Sequence, residues 1–91
     1  MGGNLEAFRR RGEAFYQGLI QAAVAILHAQ RGNLEGARSL YAKASAKLDP
    51  IPHEHMGLAV GELRIELRQF IEIATRADAG TLPIPPRLRR I

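Results

Sequence analysis

Two glutamines and a histidine near the start of the chain are the first residues that could form a binding site. Gln17 and Gln21 are four residues apart and His28 follows seven residues later, so in a helix the three form one narrow polar line. Two amides and an imidazole can bind a small polar ligand, or they can form a hydrated seam between helices. A ligand site at these residues and a polar seam both remain open at this point.

A histidine pair in the middle of the chain is a candidate for metal binding. His53 and His55 are separated by one residue, so an extended loop would place both imidazoles on one side, and His28 could supply a third zinc ligand. Two ligands at this spacing are a weak signal for a metal, since such loop histidines are often simply exposed. We expect no cofactor.

Other reactive side chains do not form a catalytic pattern. Glu62 and Glu66 lie one turn apart and could act as paired carboxylates, but arginines on neighbouring turns are typical of a solvated charged face. Ser39 and Ser45 have no histidine at helical spacing that could act as their base. These residues therefore favour a non-catalytic protein over an enzyme.

The positive charge of the chain is concentrated at its two ends. The net charge is +4, and six arginines flank the rest of the sequence: Arg9, Arg10, Arg11, Arg87, Arg89 and Arg90. They could contact the phosphates of a nucleic acid, yet no aromatic residue is interleaved with them to stack on a base. A nucleic-acid accessory protein is therefore the third functional hypothesis, after a protein-interaction module and a small-ligand or metal-dependent enzyme.

Composition also indicates where the protein acts. The chain has no cysteine, which fits a reducing compartment. Its longest apolar run, residues 22–27, is too short to cross a bilayer, and the N-terminus lacks the pattern of a signal peptide. We expect a cytoplasmic protein that does not bind membranes.

The elements that position these residues are predicted to be helices, because alanine and leucine dominate the apolar residues. Asn4 can cap a short helical arm that ends near Gly12, where a bend or break is expected. A long helix should follow over residues 13–31. The apolar arc of this helix covers about half its circumference. The arc consists of the line Phe15, Leu19, Ala22 and Ile26 with the flanking residues Tyr16, Ile20, Ala23 and Leu27. Between the arc and the polar line lies a strip of small residues: Ala14, Gly18, Ala25 and Ala29.

A short turn should fold the chain into a helical hairpin. Gly32 is suited to end the first long helix with a positive φ, and Asn33 to cap the second helix over residues 34–48. Pro50 and Pro52 then stop that helix and begin a loop. Gly32, Ala37, Tyr41 and Ala44 have the spacing of the small and aromatic positions in the second half of a tetratricopeptide repeat, which the hairpin therefore resembles. A solenoid needs about three such repeats.

A third helix is predicted over residues 59–79, with Gly80 ending it. Its core face contains Val60, Leu63, Leu67, Phe70, Ile71, Ala74 and Ala77. Residues 80–91 are rich in proline and should form an extended strap or a loose tail. The fold class is therefore all-α: one domain over residues 1–91, with an antiparallel three-helix bundle, a core at about residues 13–79, a short N-terminal arm and a Pro-rich tail.

A family resemblance covers residues 15–70 and, more loosely, the Pro-rich end. The chain resembles the small all-helical domain-of-unknown-function family 309 in the segment YQGLIQAAVA at residues 16–25, in His28, in RGN at 31–33, in GAR at 36–38, in MGL at 56–58 and in LPIP at 82–85. The resemblance implies a helical fold but no activity. Members of the family usually begin with a helix bearing a His-Glu pair, and no such pair precedes Phe15 here.

The sequence favours an interaction or assembly module that forms a homodimer or binds another protein. Half of the first long helix is apolar, while two other long helices are available to cover it. Ile65 and Ile73 also fall off the core face of the third helix. A twofold dimer would cover such surfaces, and we predict an interface on the first and third helices that includes Phe15, Gly18, Ala25, Ile65 and Ile73.

Overall fold

Three helices account for most of the computed structural model, which describes residues 2–76 and 83–91, with side chains from residue 12 onward. Helix α1 is Gly2–Gln30, α2 is Leu34–Leu48 and α3 is Val60–Ala74. Two strands of two residues each, β1 (Glu54–His55) and β2 (Leu58–Ala59), form a small antiparallel hairpin between α2 and α3. The predicted all-α, three-helix fold is confirmed for these residues.

Helix α1 runs without interruption for 29 residues. The predicted bend or break at Gly12 is therefore corrected: the N-terminal arm is the first part of α1. One glycine inside a helix costs only about 1 kcal/mol relative to alanine, and the good helix formers around Gly12 outweigh that cost. None of the helices in the described residues combines the length and the apolar character that a bilayer crossing requires.

The turn between α1 and α2 forms as predicted. Gly32 has a φ of +80°, its amide donates to the carbonyl of Ala29 at 3.1 Å, and the amide of Asn33 donates to the carbonyl of His28 at 2.8 Å. These two bonds define a Schellman motif, which needs a left-handed residue at this position. The side chain of Asn33 accepts from the amide of Gly36 at 3.1 Å and caps α2. Helix α2 has the predicted bounds.

Small residues allow α1 and α2 to approach each other closely. Gly18 of α1 faces the end of α2, and a Cβ at Gly18 would lie only 2.9 Å from Cδ2 of the fully buried Leu48. The rest of the contact consists largely of buried alanines: Ala22, Ala25 and Ala29 from α1, with Ala37 and Ala44 from α2. Helix α3 covers this hairpin with the predicted face, in which Val60, Leu63, Leu67, Phe70, Ile71 and Ala74 are all buried.

The segment between α2 and α3, which we predicted to be a loop, contains the β1–β2 hairpin. Met56 and Gly57 connect the strands and have φ values of +54° and +73°. Two successive positive φ angles are the signature of a type I′ turn, whose twist matches that of a two-stranded ribbon. Strands of two residues are too short to be stable alone, so other parts of the chain must support this hairpin.

The C-terminal segment, residues 83–91, provides part of that support as an extended strap. The amide of Ala59 donates to the carbonyl of Arg89 at 2.8 Å, and the amide of Ile91 donates to the carbonyl of Gly57 at 3.0 Å. Arg90 forms an antiparallel bridge with Leu58. Of the two alternatives for the tail, the described residues therefore adopt the strap.

Helix α3 begins one residue later than predicted and ends five residues earlier, at Ala74. The hydroxyl of Thr75 donates to the carbonyl of Ile71 at 2.6 Å, and the Arg38 side chain of α2 donates to the carbonyl of Thr75 at 3.0 Å. The second bond uses a carbonyl that would otherwise accept a backbone bond in the next turn of a longer helix. The predicted core residue Ala77 and the predicted stop at Gly80 lie outside the described residues.

Candidate interaction surface

The polar line of α1 lies along one edge of the helical hairpin. The amide oxygen of Gln21 accepts from Nζ of Lys47 at 3.1 Å, and Nδ2 of Asn33 donates to Nδ1 of His28 at 3.0 Å. Gln17 is exposed. Gln17 and His28 are eleven residues apart, so about 16 Å separates them along the helix axis. The three side chains are spread along the edge and do not converge on one point.

The three histidines have separate surroundings. The ring of His55 packs edge-on against Phe15, with centroids 4.8 Å apart and planes at 82°. His53 lies against Gly61, whose amide donates to the carbonyl of His53 at 2.9 Å. His28 is at the far end of α1, roughly 20 Å along the axis from Phe15. Among the described residues, no group of three or more His, Cys, Asp and Glu side chains is placed to hold a metal ion.

The two glutamates of α3 face the C-terminal strap. Nη1 of Arg89 lies 2.7 Å from Oε2 of Glu66 and 3.7 Å from Oε2 of Glu62. The carboxylates that could have served as an acid–base pair therefore hold the strap through ion pairs. Arg89, one of the three C-terminal arginines considered for nucleic-acid contacts, is occupied by the same interaction. The side chains of Arg9, Arg10 and Arg11 lie outside the described residues.

A groove of about 370 Å³ lies between α2 and α3. Leu48 and Leu67 are at its base, and charged residues border it. Nη2 of Arg64 pairs with Oδ1 of Asp49 at 3.4 Å, and Nε of Arg68 pairs with Oε1 of Glu72 at 3.1 Å. Because each arginine already has a carboxylate partner in the same chain, the groove offers little uncompensated charge to attract an ionic ligand.

A second depression, of about 310 Å³, lies between the hairpin, the strap and the start of α3. It is lined by His53, Glu54, Ala59, Glu62 and residues 89–91. Two of these residues, Glu62 and Arg89, form one of the ion pairs that fasten the strap. This depression is therefore the seam where the strap meets the body of the protein.

The residues predicted at an interface divide into two groups. Phe15, Gly18 and Ala25 are buried within the chain, because α2 and the β-hairpin region pack on that side of α1. The small-residue strip thus serves the contact between α1 and α2. Ile65 and Ile73 of α3 are 56% and 39% exposed, as expected for residues off the core face.

A different apolar surface of α1 is left exposed. Tyr16, Ile20 and Leu27 are 55%, 63% and 41% exposed, and Ala23 between them is also exposed. We call these four residues the outer stripe. The buried residues among the described side chains of α1 are Phe15, Gly18, Ala22, Ala25 and Ala29. At 100° per residue, the stripe lies roughly 150° around the helix from the mean direction of these buried residues, so it faces away from the core. Its spacing of four, three and four residues was visible in the sequence, where we treated it as the flank of one wide apolar arc.

The comparisons with known proteins bear on the same helix. Residues 5–40 match the family DUF309, described as a domain of unknown function. The predicted family resemblance is confirmed. The DUF309 match begins at residue 5, whereas we expected the resemblance to start at Phe15. The match ends within α2. No curated protein and no solved structure matches the chain. The missing His-Glu helix stays a prediction, and the family description supplies no activity.

Proposed function

We propose that this protein is a non-catalytic assembly module that forms a homodimer through the outer stripe of α1. The observation that carries the proposal is the exposure of Tyr16, Ile20 and Leu27 on one face of one helix. Removing apolar surface from water contributes roughly 25 cal/mol per Å². A row of large apolar side chains on a small protein is therefore a favourable surface for association.

The charge distribution along α1 supports this role. Residues 14–27 contain no Asp, Glu, Lys or Arg, although charged residues make up 24% of the chain. A partner that covers the outer stripe would therefore not have to remove a charged side chain of this segment from water, which is a costly step. The core and the other helices lie on the opposite side of α1, so they leave the stripe accessible.

The polar candidates favour assembly over catalysis. The glutamines and histidine of α1 are spread along an edge, the three histidines are apart, and Glu62 and Glu66 are paired with Arg89. An acid–base or metal-assisted reaction needs such groups to converge near one reacting atom. We place the assembly in the cytoplasm, because a chain without cysteine suits a reducing compartment.

Sedimentation equilibrium of the wild-type protein and two matched variants tests the proposal. We expect a dimer at micromolar or higher concentration, and a monomer for Ile20→Glu, because each dimer would bury two unpaired carboxylates. Ile65→Glu is the control: Ile65 is 56% exposed and Ile20 is 63% exposed, but Ile65 lies on α3. It should remain a dimer, and circular dichroism should show that both variants are folded.

Two results would contradict the proposal. A wild-type protein that stays monomeric at hundreds of micromolar would show that the stripe does not mediate self-association. Loss of the dimer in Ile65→Glu together with its retention in Ile20→Glu would move the interface to α3.

A further inference from the structure

Resting on the proposed self-association, we infer that the two α1 helices pair antiparallel about a twofold axis that crosses the outer stripe between Ile20 and Ala23. The inference starts from which residues of α1 are exposed. Between residues 13 and 30, the exposed positions apart from Gln17 recur at intervals of three and four: Glu13, Tyr16, Ile20, Ala23, Leu27 and Gln30. This is the heptad spacing of a helix that packs against another helix.

The spacing is the same when it is followed in either direction along the helix. In an antiparallel pair centred between Ile20 and Ala23, Tyr16 lies opposite Leu27 of the second copy, and Ile20 lies opposite its Ala23. Every member of the stripe then meets another member. A twofold axis relates the two halves of this contact, as expected for a homodimer.

Side-chain volumes favour the antiparallel arrangement over the parallel one. Antiparallel pairing places the large Ile20 against the small Ala23 in both halves of the interface, so the two central layers have equal volume. Parallel pairing would place each residue opposite its own copy, with two isoleucines in one layer and two alanines in the next. Helix interfaces approach the packing density of protein interiors, and an alanine pair next to an isoleucine pair would leave a gap.

The polar residues just beyond the two ends of the stripe favour the same arrangement. Glu13 and Gln30 extend the repeat at its two ends, and both are exposed. Antiparallel pairing brings the Glu13 carboxylate opposite the Gln30 amide, which can donate a hydrogen bond to it. Parallel pairing would instead bring two Glu13 carboxylates together, and like charges at facing positions repel.

The size of the contact sets the expected affinity. The segment from residue 13 to residue 30 is about 26 Å long, and a helix with its side chains is about 10 Å wide. The contact area that these dimensions allow is below that of a standard stable interface, which buries about 800 Å² on each partner. We therefore expect a dissociation constant of the dimer in the micromolar range.

Disulfide cross-linking can determine the orientation, because the chain contains no cysteine. Glu13→Cys and Gln30→Cys each introduce a single thiol at an exposed end of the repeat, outside the apolar stripe. The two variants, one carrying a size tag, are mixed and oxidised under mild conditions. Antiparallel pairing predicts the mixed cross-linked dimer in large excess over either self-linked dimer.

The design separates failure of the orientation from failure of the proposed function. Lys43→Cys, at an exposed position of α2, is the control and should give little product with either variant. Self-linked dimers of Glu13→Cys and of Gln30→Cys would show a parallel pair, which overturns this inference and leaves the proposed function standing. Similar yields from all mixtures, including Lys43→Cys, would indicate random collisions and would also overturn it. A wild-type protein that is monomeric in sedimentation would refute the proposed function itself.

Discussion

Gly18 and Gly12 lie in the same helix but differ in the space around them, and this difference leads to a quantitative prediction. A Cβ at Gly18 would lie 2.9 Å from Cδ2 of Leu48 and 3.2 Å from Cβ of Lys47. Leu48 is fully buried, and Cβ of Lys47 is attached directly to the backbone, so neither can withdraw without moving α2. A Cβ at Gly12 would have nothing within 4 Å.

The expected changes in the free energy of unfolding follow from two opposing terms. Replacing glycine by alanine inside a helix stabilises it by about 1 kcal/mol. Inserting a methyl group into a tightly packed contact costs about 1–3 kcal/mol. Gly12→Ala should therefore stabilise the protein by up to about 1 kcal/mol, since only the first term applies. Gly18→Ala should range from neutral to about 2 kcal/mol destabilising.

Urea unfolding followed by far-ultraviolet circular dichroism measures both changes. The two variants and the wild type are compared at one protein concentration, because self-association would add a concentration-dependent term to the stability. Gly12→Ala is the matched control, since it has the same chemistry in the same helix. Equal stabilisation by both substitutions would refute the close approach of α1 and α2 at Gly18.

Three further predictions concern the turns. Gly32→Val should lower the free energy of unfolding by about 1–2 kcal/mol, because valine is strained at positive φ; an unchanged melting temperature would show that α1 ends elsewhere. Asn33→Ala should cost about 1 kcal/mol in urea unfolding through loss of the cap, whereas Asn33→Ser keeps an acceptor and should retain most of the stability; equal losses would contradict the capping role. Met56→Asn should increase the free energy of unfolding by roughly 0.5–1 kcal/mol and so raise the thermal midpoint, because asparagine before Gly57 suits a type I′ turn; a lower midpoint would argue against that turn.

Local signals in the sequence were sufficient to predict most of the fold. The glycine and asparagine of the first turn and the proline after α2 act on backbone groups within a few residues of themselves, so the bounds of α2 were predictable. The end of α3 was not, because Arg38 on another helix takes the carbonyl of Thr75. The β-hairpin was missed for a similar reason, since the strap that pairs with Leu58 comes from about thirty residues further along the chain.

The candidate surface was harder to predict than the helices. Periodicity showed that about half of α1 is apolar, but it does not show which half another helix will cover. We assigned the strip of small residues to a dimer, although small residues favour close approach by any helix. Helix α2 follows after a three-residue turn and occupies that strip, so the larger residues Tyr16, Ile20 and Leu27 remain outside.

The alanine contact between α1 and α2 also restricts how this protein can change during evolution. Ala22, Ala25 and Ala29 of α1 share one buried cluster with Ala37 and Ala44 of α2, so a larger residue at any of these positions would have to displace the neighbouring helix or the large core residues that complete the cluster. Moving the helices apart to make room would open gaps along the whole contact at once. The spacing of the two helices is therefore a collective property: substitutions on the outer faces of the hairpin leave it unchanged, whereas a wider spacing requires several buried positions to change together.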